Sequence, residues 1–404
     1  MWIKPGALDL TYCTNIHAGE SWDEVESSVA EFAPALKQRL SPQTPFGLGL
    51  RLSALAASQL LAEDRLDRFR SFLDKNGLYV ALINGFPFGS FHGTAVKTAV
   101  FAPDFRDPAR VRYTLNLVEI LSRLLPEGMD GGISTIPLSY KPWIPNPDAA
   151  WPAIVENLVD VTAELITVRE RTGRFIHLDI EPEPNGLVES TIEFVQFFEG
   201  PLQHLGAPLL ATRLGISLEK ARSHLREHIQ VCFDTCHMAI QFEDATCSLD
   251  LLKKHGIRIG RIQISSALRI LFDGSVTQRE EIRTHLAPFD NGIYLHQVIE
   301  QDTQGNIRRF VDLDQALAAE ATGTATEWRI HFHVPLFTEE YGLALSTQAQ
   351  NRSLLELVMQ ADITSHLEIE TYTWTVLPTA LKADLLSSIE REFRWVMGGL
   401  CVKP

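Results

Sequence analysis

The chain has 404 residues, 45% of them hydrophobic, enough to bury the core of one barrel-sized domain or of two smaller ones. Its net charge of −15 and pI near 5.3 exclude a phosphate-backbone partner unless a local basic patch intervenes. The densest basic stretches (Arg65, Arg68, Arg70 and Arg308, Arg309) are short and interleaved with acids, so no nucleic-acid partner is expected.

The opening MWIKPGALDLTYCTNIH lacks the charged start, apolar core and cleavage site of a signal peptide, and 8–17 reads instead as a first strand. Further strands are expected at 46–53, 78–86, 131–138, 175–181, 229–234, 259–265 and 366–372, eight in all. Helical patterns alternate with them over Trp22–Leu40, 108–125, 148–172 and 190–205, with Ser21, Ser53 and Asp148 as N-caps. This βα rhythm predicts an α/β fold, a closed (β/α)8 TIM barrel. An open doubly wound sheet would place a glycine-rich phosphate loop after the first strand, and TNIHAGES is not one. No apolar run reaches transmembrane length, so no membrane insertion is expected.

Residues 266–335 break the rhythm. GIYLHQVIEQ and NIRRFVDL flank the turn DTQG as a β-hairpin, followed by a short helix, a Thr/Gly loop and the strand WRIHFHV. We read one TIM-barrel domain over 1–404 with 266–335 inserted between strands seven and eight, over the catalytic face; a small separate domain is the alternative. The five cysteines (Cys13, Cys232, Cys236, Cys247, Cys401) are sparse and odd in number, which argues against a disulfide framework and fits a reducing cytoplasm.

Alternation in the late strands carries the chemistry. His177, Asp179 and Glu181 share one face of the fifth strand while Ile176, Leu178 and Ile180 share the other. The same parity groups Gln230, Cys232 and Asp234; Arg261, Gln263 and Ser265; and His366, Glu368, Glu370 and Tyr372. Four strands thus send ionisable groups toward one centre, and so many carboxylates in a confined space call for a cation. In DTCH, Asp234 ends the sixth strand and His237 follows three residues later, which supplies an oxygen and a nitrogen at one strand end.

The segment VCFDTCHMAIQFED resembles the sixth-strand motif of the xylose-isomerase-like superfamily, in which an Asp-x-x-His pair binds metal, and IGRIQISSALR resembles the seventh strand of ketose 3-epimerases. More closely, TYCTNIHAGESW, FGLGLRLS, NGFPFGSFHG and HLEIETYTW together resemble the EboE proteins, the xylose-isomerase-like member of a bacterial operon linked to metabolite traffic. The resemblance implies that Glu181 and Glu370 ligate a divalent metal and exchange protons with substrate, with Asp234 and His237 as further ligands. Gln263 stands where the epimerases usually carry a metal-binding His, and Arg269 where an arginine contacts substrate. The implied cofactor is Mn²⁺, Mg²⁺ or Zn²⁺, with Gln263 weighting it toward the oxygen-loving ions. Lack of a lysine beside Glu181 argues against hydride-shift chemistry. His331 and His333 share a face of WRIHFHV with Arg329; endonuclease IV carries a histidine-bearing segment at the same place, which leaves room for a second metal.

Asn15, His17, His92 and Trp374 are further candidates for substrate contact. The last three have structural alternatives: a loop hydrogen bond for His17, a surface position for His92, core packing for Trp374. Glu183 is a candidate second acid, with a solvent-facing side chain as the alternative because Pro182 redirects the chain before it. Three functions are expected to compete for this mouth. The first is a metal-dependent isomerase or epimerase of a small sugar-like or polyol metabolite; the others are metal-assisted (phospho)ester hydrolysis and binding without turnover. Partners encoded in the same operon are implied by the EboE resemblance alone.

Overall fold

The computed structural model describes residues 1–4, 8–92, 96–289, 292, 294–319, 323–374 and 383–400. Cys401 and part of the Thr/Gly loop lie outside the described residues.

Eight parallel strands form the barrel: Leu8–Tyr12, Phe46–Arg51, Leu78–Asn84, Asp130–Thr135, Phe175–Ile180, Ile229–Asp234, Ile259–Ile264 and His366–Ile369, here called the first to eighth. Consecutive strands from the second to the seventh pair in order, the eighth lies between the seventh and the first, and a Cys13–Gly49 bridge joins the first strand to the second. The α/β barrel expected from the sequence is therefore the architecture observed. Outward residues such as Ile176, Leu178, Ile180, Val231 and Phe233 are buried beneath the helices, which is why these strands read as apolar on one parity. Trp22–Leu40 begins with Ser21 and Glu24 capping each other's backbone N–H groups, and Ser53 caps Ala54–Leu60. Asp148 is not a cap: Pro147 takes the first helical position, Asn146 the N-cap, and Asp148 falls within the first turn of Pro147–Thr172.

The barrel interior is polar. Arg261 donates from Nε to Asp179 Oδ2 and from Nη1 to Glu368 Oε2, both at 3.0 Å, and His177 Nδ1 donates to Asp179 Oδ1 at 2.5 Å. Glycines make room for these side chains. A Cβ on Gly49 would stand 1.7 Å from Glu368 Oε1, on Gly132 2.3 Å from Asp179 Oδ2, and on Gly260 1.9 Å from Asp179 Oδ1. The ladder between the sixth and seventh strands slips by one residue at Gly260, which lets that close approach coexist with an inward Arg261.

Between the seventh and eighth strands runs a second, antiparallel sheet in the order Ile307–Phe310, Val298–Asp302, Ala325–Val334, Ser266–Leu271, Ala344–Ser346, Glu340–Tyr341. The DTQG turn does join a hairpin. A separate apolar cluster that includes Leu268, Ile330 and Trp328 packs this sheet.

Candidate metal centre

Three imidazoles meet at the barrel mouth. His237 belongs to Thr235–Ile240, a short helix whose N-cap is Asp234, the last residue of the sixth strand. His331 and His333 come from Ala325–Val334, alternate positions that share one face of that strand. Their Nε2 atoms stand 3.2 Å (237 to 331), 3.1 Å (331 to 333) and 3.3 Å (333 to 237) apart.

The opposite ring nitrogens settle the tautomers. His237 Nδ1 donates to the Pro182 carbonyl at 3.1 Å and His333 Nδ1 to the Glu370 carbonyl at 3.0 Å. His331 Nδ1 donates to Gln297 Oε1 at 2.6 Å, an oxygen identified because Gln297 Nε2 donates to the Pro184 carbonyl at 2.9 Å. With all three protons on Nδ1, three Nε2 lone pairs converge on one point and repel. Burial first, and the neighbouring imidazoles second, push His237 and His331 well below the usual histidine range, so protonation does not relieve the repulsion near neutral pH. A cation does. An ion held tetrahedrally by imidazole nitrogens at about 2.0–2.1 Å sets them about 3.3 Å apart, which matches the observed triangle.

Carboxyl groups complete the surroundings. Glu183 forms a ligand-distance group with His237 and His331, and Asp234 forms another with His237 and His333. Asp234 Oδ1 accepts from the His237 backbone N–H and from Ser265 Oγ, each at 3.0 Å. Glu181 Oε1 lies 3.6 Å from His237 Nδ1, and its Oε2 is buried without a hydrogen-bond partner. Glu370 Oε1 accepts from Asn15 Nδ2 at 2.8 Å and Asn84 Nδ2 at 2.9 Å. Burial first, then repulsion from Asp234 and Glu183 at Glu181 and from Glu181 and Asp234 at Glu370, holds both carboxyls well above the usual range. Burial carries Glu183 up to about 8. Glu181, Glu183 and Glu370, with the three histidines, line a cavity of about 50 Å³, walled also by Phe86, Pro87, Phe91 and Tyr372.

The structure thus brings together Glu181, Asp234, His237, His331, His333, Glu370 and Asn15. It does not bring in the others. Gln263 lies deeper in the barrel, where its Oε1 accepts from the Cys232 thiol at 2.9 Å and its Nε2 donates to Glu368 at 3.4 Å, so both ends of the amide are engaged. Arg269 is held in a two-pronged pair with Glu327 on the second sheet. Trp374 donates to the Thr371 carbonyl and packs on Phe337. His17 turns outward, because the first strand ends at Tyr12 and a 3-10 turn over Thr14–Ile16 breaks its parity; the ring stacks on Phe32 at 4.4 Å and meets the Tyr12 hydroxyl. His92 stands beside Phe91 with Nδ1 buried and unpartnered, outside the cavity wall.

Nor do the four polar strand faces point to one centre: they rise in layers, with His177 and His366 lowest, Asp179, Arg261 and Glu368 between, and Glu181 and Glu370 at the mouth. Sequence reading missed Asn84 and Gln297, and left the inward aim of Glu183 open. Asn84 is inward because a bulge in the third strand resets its parity after Tyr79, which also faces inward and bonds Asp9. Nothing local in the sequence marks that bulge.

No helix among the described residues is long and apolar enough to cross a membrane. No protein-family model matches the chain, and no curated protein matches it. Among solved structures it is similar to the probable 3-DHS dehydratase AsbF involved in petrobactin synthesis from Bacillus anthracis, at 12% identity over 96% of this chain and 98% of that one, TM-score 0.45. It is similar to the IOLI protein with a binding zinc atom, at 11% identity over 97% and 98%, TM-score 0.48. A xylose isomerase domain containing protein from Salmonella typhimurium LT2 shares 13% identity over 99% of both chains, TM-score 0.43.

Proposed function

We propose that the mouth is the active site of a metal-dependent isomerase or epimerase acting on a small, uncharged sugar-like or polyol metabolite by carboxyl-mediated proton transfer. The observation that carries this reading is the convergence of three neutral imidazole lone pairs beside the buried Glu181 and Glu370 carboxyls in one small cavity. His237, His331 and His333 would hold the ion, with Glu183 or Asp234 as an oxygen ligand. This nitrogen-rich set favours Zn²⁺ over the Mn²⁺ or Mg²⁺ that a Gln263 ligand implies. Such an ion, when bound, polarises a carbonyl oxygen.

The remaining work belongs to the chain. Burial and the neighbouring carboxyls favour the neutral form of both groups, and the positive charge of a bound ion would lower them, so that one could serve as base and the other as acid facing the same space. Asn15 and Asn84 both donate to Glu370 Oε1, which fixes the orientation of that carboxyl beside the cavity. Asn15 Oδ1, buried without a partner, is free to accept from a substrate hydroxyl. Among the described residues the cavity wall has no Lys or Arg, so a phosphorylated substrate would meet carboxyls without a counter-charge. That weighs against phosphoester hydrolysis. Membership of the EboE-like group, with a metabolite as partner, is part of the same proposal.

The test is solvent exchange. Zinc-loaded protein incubated in D2O with a panel of unphosphorylated aldoses, ketoses and inositol-like ketones should place deuterium beside the carbonyl of one of them. Glu370→Gln should lower that rate by at least 100-fold. Exchange by Glu370→Gln at the wild-type rate, or tight binding of a panel member with no exchange, would overturn the reading.

A further inference from the structure

A second cluster of metal-ligating groups lies at the opposite end of the barrel. Asp130 opens the fourth strand, His177 sits near the start of the fifth, and His366 opens the eighth. One oxygen of Asp130 and one ring nitrogen from each histidine all fall within 4.8 Å of one another. His366 Nε2 stands 3.3 Å from Asp130 Oδ1 and His177 Nε2 3.9 Å from Asp130 Oδ2. His177 and His366 lie four residues below Glu181 and Glu370 on their strands, about 13 Å at ~3.3 Å per residue, so this is not part of the mouth.

The orientation of His177 is imposed from behind. Its Nδ1–H donates to Asp179 Oδ1 at 2.5 Å, and Asp179 is fixed in turn by Arg261. The Nε2 edge of the ring therefore faces the Asp130 carboxylate, 3.9 Å away and beyond direct hydrogen-bond reach. His177 Nε2 and His366 Nδ1 are buried with no hydrogen-bond partner, although each histidine is only 1% exposed, and His366 Nε2 rests against Asp130 Oδ1 as a hydrogen-bonded ion pair whenever the ring carries a second proton. A carboxylate behind the far nitrogen of a histidine is the arrangement that orients metal-binding imidazoles. Asp130 also lines a cavity of about 770 Å³ at this end, with Ser365 beside it donating to both carboxylate oxygens at 2.8 and 3.1 Å. The approach is thus open to solvent on the Asp130 side alone.

We propose that Asp130, His177 and His366 bind a second divalent ion of the zinc or cobalt class, with a water from the cavity in the fourth position. Two imidazoles and a carboxylate with one open position form a set such ions accept. The ion would clasp the starts of three strands, of which the fourth and fifth pair with each other while the eighth pairs with neither and reaches Asp130 through Ser365. Catalysis by Glu181 and Glu370 is not required for it, and the two sites can be tested apart.

Full-length protein, stripped with chelator and titrated with Co²⁺, should bind two equivalents after desalting. His331→Ala/His333→Ala should retain one, and Asp130→Asn/His366→Gln should retain one. Asp130→Asn alone, at a half-exposed position, should fold as the wild type by circular dichroism and weaken the floor site at least 10-fold. Retention of one equivalent by His331→Ala/His333→Ala that Asp130→Asn then weakens establishes the floor site whatever happens at the mouth. Loss of all cobalt from His331→Ala/His333→Ala, or unchanged binding of two equivalents by Asp130→Asn/His366→Gln, would overturn the proposal. The same holds if wild type binds one equivalent that Asp130→Asn leaves unaltered, for then a proton on His366 satisfies Asp130.

Discussion

Gln297 decides which nitrogen of His331 faces the ion. Its side-chain oxygen accepts from Nδ1 while its nitrogen is committed to the Pro184 carbonyl, so the amide cannot turn over without losing both bonds. Gln297→Leu keeps the volume and removes the acceptor. Affinity for zinc should fall about 10–100-fold, read by competition with a coloured chelator, with little loss of fold. Glu392 offers a test of burial itself. It is 1% exposed, accepting from the Leu336 N–H and the Thr371 hydroxyl at 2.8 Å each, and burial raises its pKa to about 8. The folded state therefore holds a proton that the unfolded chain releases near pH 4.5. That contribution to stability is complete below pH 4.5 and lost as pH rises through about 8. Glu392→Gln has no proton to lose. Urea denaturation at pH 5 and pH 8 should show a smaller fall in stability for the variant than for wild type. At this scale, Asp234, His237, Glu181 and Glu370 were legible because each sits at or just past a strand end, where parity and chain direction predict its aim. Gln297 was not, because its role depends on a partner 34 residues away.

At the scale of elements, the helices and strands were readable from apolar periodicity, and the polar interior from its complement. The sequence pattern of the late strands announced which residues point inward but not that they form layers, since strand stagger is set by pairing across the sheet. The middle layer turns on Arg261, buried completely and shared between Asp179 and Glu368. Arg261→Ala leaves two buried carboxylates without a counter-charge and should cost about 3–5 kcal/mol in denaturant unfolding. Gly132 tests the same layer from the other side. A methyl there would meet Asp179 Oδ2 at 2.3 Å and His177 Cε1 at 2.7 Å, neither free to withdraw. Gly132→Ala should destabilise by about 1–3 kcal/mol, whereas alanine at Gly200, with nothing within 4 Å, should not. The hairpin was legible from its turn, yet the reason its neighbouring strand matters, delivery of His331 and His333 to the mouth, needs the three-dimensional path of 266–335.

At the scale of the molecule, the mouth joins two sheets with separate apolar cores, His237 following a barrel strand and His331 and His333 riding on the second sheet. Hydrogen bonds already cross this junction from Arg329 to the Ala239 carbonyl and from His333 to the Glu370 carbonyl, but the three converging lone pairs work against it. An ion that binds only the assembled junction favours the folded state by RT ln(1 + [M]/Kd), about 4 kcal/mol when free metal is 1,000 times Kd. Thermal unfolding should therefore rise in midpoint with added zinc and fall with chelator. His331→Ala/His333→Ala removes two of the three repelling lone pairs together with the ligands. Without metal it should unfold at a temperature closer to wild type than its lost contacts alone predict, and it should lose the mouth's share of the response to zinc. Equal zinc responses in wild type and variant would place the stabilising ion elsewhere, and a variant much less stable than metal-free wild type would show that the imidazoles hold the junction without one.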